Sequence, residues 1–146
     1  MKISIDIDPE KQDTEIRISC KRLTPEIERL IATLRMVNQQ LTVEKEQETY
    51  LVDVAKIMYI EAVDRKTFVY TKEECFESKL KLYEMEERLE DSGFFRASKS
   101  CLVHLRHIKS LKSDMDRKLK LTLENGENMI VSRQYADEIK RRLGVK

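Results

Sequence analysis

Apolar and polar residues along the chain fall into two periods, and the changes of period mark its elements. Ile3, Ile5 and Ile7 alternate with Lys2, Ser4, Asp6 and Asp8. Ile16, Ile18 and Cys20 repeat the alternation after a polar turn that begins at Pro9, so both stretches read as half-buried strands. The period then lengthens. Thr24 and Pro25 suit the start of a helix, and Ile27, Leu30, Ile31, Leu34 and Val37 share one of its faces. This β-β-α segment is too small to stand alone, and its apolar helix face fits intramolecular packing better than a dimer interface.

Strands return from about residue 40 as QLTVEKEQ, TYLVDV, KIMYIEAV and TFVYT, with Asp64, Arg65 and Lys66 making a hairpin connection between the last two. A helix with Leu82, Met85 and Leu89 on its inner face and a strongly acidic outer face follows, started by Ser78 and ended by Gly93. Leu119, Leu121 and Leu123 alternate with polar residues up to Asn125-Gly126, the strongest short-range hairpin signal in the chain. Ser132 opens a last helix lined by Tyr135, Ala136, Ile139 and Leu143. The pattern predicts a mainly β protein with short α-helices.

Composition narrows the chemistry. The 146 residues fit one domain with a small appendage, and 40% hydrophobic content suffices for a core. A formal net charge of +1 excludes a uniformly basic surface, so an anionic polymer would have to bind a segregated face. Cys20, Cys75 and Cys101 lack metal or redox spacing and read as reduced, buried thiols. No apolar run is long enough to span a bilayer and the N-terminus is no signal peptide, which predicts a cytoplasmic protein. The isolated Gly93, Gly126 and Gly144 build no phosphate loop, and His104 and His107 have no third ligand nearby. No enzyme, cofactor, metal or small-molecule substrate is expected.

Phe94 to Lys112 carries Arg96, Lys99, Arg106, Lys109 and Lys112 without a single acid, threaded with apolar anchors. Ser98 and Ser100 add hydroxyls suited to phosphate oxygens. Arg133 at a helix start and the Arg65-Lys66 tip are two further cationic clusters. Counterion release favours such cations on a nucleic acid.

The order of YIEA, FFRASKSCLVHL and VSRQY resembles the LytTR family of DNA-binding domains over residues 47 to 146. The resemblance implies an elongated, antiparallel β-sheet domain that enters successive major grooves of double-stranded DNA through loops. It divides the chain into a β-β-α appendage, residues 1 to 46, and the LytTR-like domain. The contact residues it implies are Arg65, Lys66 and Thr67, then Ser98, Lys99 and Ser100, then Arg133 and Gln134, with Arg96 in the same basic run. Family members often carry His where this chain has Ser98, and Asn where it has His104. The implied function is a bacterial transcriptional regulator without a receiver domain, a homodimer on repeated half-sites, of a type paired with a small membrane protein. The competing reading is a cytosolic interaction module for such a membrane partner, acting through the β-β-α face and the acidic helix.

Overall fold

The computed structural model describes residues 1 to 37 and 39 to 145. Among these residues ten strands and three α-helices follow in the order α1 (Pro25–Arg35), β1 (Gln40–Lys45), β2 (Glu48–Asp53), β3 (Tyr59–Val63), β4 (Lys66–Tyr70), β5 (Cys75–Ser78), α2 (Leu82–Leu89), β6 (Phe94–Ser98), β7 (Cys101–His104), β8 (Ile108–Ser113), β9 (Leu119–Leu123), β10 (Asn128–Val131) and α3 (Arg133–Leu143). Seven strands form one antiparallel sheet, β2-β1-β5-β4-β3-β7-β6, and three form a second, β10-β9-β8. β1 lies between β2 and β5, so the β1–β2 hairpin carries the large sheet across residue 46.

β7 explains why two sheets make one body. Its four residues are all buried, the pattern of a strand covered on both faces. Leu102 points into a core closed by α2 through Leu82, Met85 and Leu89, with Ile60, Val69 and Phe76 from the neighbouring strands. Cys101 and Val103 point the other way, into a core shared with Leu119, Leu121 and Leu123 of β9 and with Ala136 and Ile139 of α3. CLVHL is thus the wall between two cores, and burial pushes the Cys101 thiol up to about 12.

The first twenty residues depart from their pattern. No strand forms there, and Ile3, Ile5 and Ile7 are 81%, 84% and 85% exposed. An alternating sequence becomes a strand only where another strand satisfies its backbone. The β-β-α segment is therefore an extended arm followed by α1. Thr24 does cap α1, its Oγ1 accepting from the Ile27 N–H at 3.3 Å.

Two smaller differences follow from local geometry. Ser78 closes β5 and binds the Leu80 N–H, so α2 begins at Leu82, where Glu84 accepts from the Lys81 N–H. Cys20 and Cys75 are exposed, and only Cys101 is buried.

Candidate nucleic-acid interface

Three turns meet at one end of the sheets, and strand register puts them there. Asp64 and Arg65 both take positive φ, 50° and 67°, the geometry of a tight two-residue hairpin turn between β3 and β4. β3 pairs with β7 through Glu61 and Cys101, and the Ala62 N–H donates to the Ser100 carbonyl at 2.8 Å. The β6–β7 turn at Lys99-Ser100 therefore lies beside the β3–β4 tip, at a strand spacing of about 5 Å. The Ser132 N–H donates to the Ala97 carbonyl at 2.9 Å, which fixes the start of α3 against β6 just below the same turn.

Ser98, Lys99, Ser100, Ser132, Arg133 and Gln134 line one open cleft of about 700 Å³. Asp116 and Lys118, from the β8–β9 turn, complete its wall. Every lining residue is polar, and three are cations against one acid. Arg133 and Gln134 are exposed in the first turn of α3, where backbone N–H groups without helical partners favour an anion.

Individual side chains divide by role. Lys99 and Arg133 are exposed, and among the described residues neither enters an ion pair. Lys66 sits 3.7 Å from Glu77, a surface pair too weak to hold it there against a phosphate. Ser98 Oγ accepts from the Ser100 N–H at 3.3 Å and tightens the turn. Arg96 behaves differently. Its side chain is only 16% exposed, its Nε contacts Glu86 of α2 at 3.1 Å, and its guanidinium donates to the Lys99 carbonyl. It is a tether that holds the turn to the acidic helix, and its charge is already neutralised. Thr67 is 5% exposed and pairs with Ser78 across β4 and β5, which withdraws its hydroxyl from any groove.

The run from Phe94 to Lys112 is not one cluster in space. Arg96 turns to α2, Lys99 enters the cleft, Arg106 faces the α1 side, and Lys109 and Lys112 stand on the outer face of β8. Chain order missed the β8–β9 turn, where Asp116 and Arg117 take positive φ and Lys118 reaches the cleft. Lys112 also stands directly opposite Lys120, a like-charge pair that costs stability unless an anion bridges it. The signal in the sequence was RKLK, Arg117 to Lys120, which reads as an ordinary charged turn.

Both histidines are held by backbone. His104 Nδ1 meets the Ile57 carbonyl at 2.8 Å, and His107 Nε2 meets that of Ala55 at 2.6 Å. His107 Nδ1 contacts Glu124 at 3.0 Å, and this bond is the main reason the Glu124 carboxyl lies below its usual range.

Comparison with known proteins gives the family. The family described as the LytTr DNA-binding domain matches residues 47–144. The chain belongs to the LytTR family. A LytTR domain from Bacillus cereus shares its fold, with 33% identity and a TM-score of 0.69 over 73% of this chain and 98% of that one. Relatives from Staphylococcus aureus strains MSSA476 and MRSA252, each named an HTH-type transcriptional regulator, are 23% and 22% identical over 99% of both chains. The helix-turn-helix of that name needs two helices joined by a short turn. Among the described residues of this LytTR chain, strands separate every α-helix from the next. Nor is any described helix long and apolar enough to cross a membrane.

The β3–β4 turn offers a test of design. Arg in a left-handed conformation costs about 1 kcal/mol that Gly avoids. Arg65→Gly, which makes the turn Asp-Gly and removes the cation without removing an acid, should raise stability by about that amount in a urea titration.

Proposed function

We propose that this LytTR protein is a sequence-specific transcriptional regulator that grips double-stranded DNA with turns rather than with a recognition helix. The observation that carries the reading is the convergence of the β3–β4, β6–β7 and β8–β9 turns with the N-terminus of α3 on one polar, cationic end of the molecule. Lys66, Arg117 and Lys118 contact phosphates and set the register, while Lys99, Arg133 and Gln134 reach base edges in adjacent major grooves. Arg96 positions Lys99 through Glu86 and contacts DNA little. Selection of bound duplexes from a random pool tests this. A defined motif supports it, and retention of all sequences alike, or of none by folded protein, overturns it.

The dimeric half of the proposal rests on the arm. Three isoleucines at strand spacing stand almost fully in water, and burying each against a partner would contribute about 1.5–3 kcal/mol. A second copy is the occupant proposed, which suits binding to repeated half-sites. Removal of residues 1 to 20 should convert a dimer to a monomer by light scattering with the circular dichroism of the folded body retained. If the full chain is already monomeric, the arm serves a different partner, such as the small membrane protein that the family resemblance implies.

A further inference from the structure

The arm and one sheet edge share an unmet need. A strand at the edge of a sheet leaves a row of backbone N–H and C=O groups without partners. The large sheet ends in β2 and β6, and the small one in β8 and β10. β8 pairs with β9 alone, and its Ser110, Lys112 and Ser113 are exposed. Residues 2 to 8 have the period of a strand, yet they pair with none of the ten.

Charge separates β8 from the other edges. β2 and β10 contain no Lys or Arg, and β2 opens on Glu48 and closes on Asp53. The one cation of β6, Arg96, is held by Glu86 at 3.1 Å. β8 carries Lys109 and Lys112, and Lys112 stands opposite Lys120 of β9. Among the described residues none of these three lysines enters an ion pair, and neither do Asp6 and Asp8 of the arm. Over residues 1 to 20 acidic side chains outnumber basic ones five to three, so the arm complements this edge and repels that of β2.

The faces match as well. Leu111 lies opposite Leu121 and is half-buried against the core under α3, whereas Lys112 and Lys120 are exposed on the other face. In the arm Ile3, Ile5 and Ile7 share one face, and Ser4, Asp6 and Asp8 the other. Setting Asp6 opposite Lys112 sets Ile5 or Ile7 opposite Leu111, whichever way the strand runs. The isoleucines then extend the apolar face, and the carboxylates lie across two lysines whose mutual repulsion no described ion pair relieves. Lysines on an edge ordinarily keep other strands away. Here they turn away neutral or basic strands and admit an acidic one.

We propose that residues 2 to 8 of one copy add as a strand to the β8 edge of a second copy, with Asp6 and Asp8 meeting Lys112 and Lys120, and that the exchange is reciprocal. The inference rests on the arm-mediated dimer and names the surface that receives the arm.

Reversing the charge on each side tests it on the full chain by sedimentation velocity at low salt. One variant carries Asp6→Lys and Asp8→Lys, the other Lys112→Glu and Lys120→Glu. Each alone sets like charges across the seam, and its dimer dissociation constant should rise at least tenfold. An equimolar mixture should recover the dimer, because each arm then meets an edge of opposite charge. Neither misfolding nor a lost DNA contact would produce that recovery. Dimers as tight as the natural one in either variant, or a mixture of folded variants that stays monomeric, overturn the proposal. So does a Lys112→Glu and Lys120→Glu variant that loses duplex affinity alone, which would assign the pair to phosphates. If removal of residues 1 to 20 still abolishes the dimer in those cases, the arm reading stands and only its docking edge falls. A monomeric natural chain overturns both.

Discussion

Arg133→Ala should lower affinity for the selected duplex roughly tenfold or more at fixed salt, a loss in the range of about 1–3 kcal/mol for a base contact. Circular dichroism should not change, because the side chain is exposed and outside both cores. Lys118→Ala should act differently. As a phosphate contact it should weaken specific and nonspecific duplexes alike and flatten the slope of log K against log salt by about 0.9. Arg88→Ala, on the exposed side of α2, is the control and should alter neither quantity. Unchanged affinity in Arg133→Ala, measured by mobility shift, would take α3 out of the interface.

The largest effect on stability should come from His104. Its folded pKa of about 4 lies below the ordinary 6.5 chiefly because burial disfavours the charged ring, with His107 and Arg106 adding to the depression and the bond to Ile57 and the charge of Glu124 opposing it. Between those values the unfolded chain binds a proton that the folded chain refuses. Stability is therefore fully present above pH 6.5 and is lost as pH falls toward 4, by about 3 kcal/mol in all. His104→Asn keeps an N–H for the Ile57 carbonyl and removes the titrating group. Urea denaturation at pH 6.5 and 5 should show a steep loss for the natural chain and a much smaller one for the variant. Glu124 and Glu138, whose carboxyls are depressed by His107 and by Arg141 respectively, contribute only at lower pH. Equal slopes for the two proteins would mean that His104 is already hydrated or charged in the fold.

What could be read from the sequence was what short-range rules control. Asn125-Gly126 between alternating runs made the β9–β10 hairpin, with Leu119, Leu121 and Leu123 all inward. Ser132 and Gly144 bracketed α3, and Gly144 does take the left-handed geometry that ends it. The cationic tips at Arg65, Lys99 and Arg133 stood out by charge and by the order of motifs.

What could not be read depends on which strands become neighbours. The Ile3-Ile5-Ile7 alternation describes a strand but names no partner, and none of the ten strands pairs with it. Lys118 joins Lys99 in the cleft only because two sheets pack through β7. Arg96 looks like Lys99 in sequence, yet Glu86, ten residues earlier, reaches it and ends its availability. Thr67 lies two residues past an exposed tip, and cross-strand pairing with Ser78 buries it. Charge can be counted along a chain, whereas its neutralisation has to be seen in space.

Turns distant in sequence are proposed to form one DNA-binding face. The direct measurement is a ¹H–¹⁵N correlation titration of the full chain with its selected duplex. Shifts should concentrate at residues 64–66, 98–101, 115–118 and 132–134, with α2 and α1 left nearly still. Shifts centred on the acidic surface of α2, with residues 98–101 and 132–134 unmoved, would contradict it.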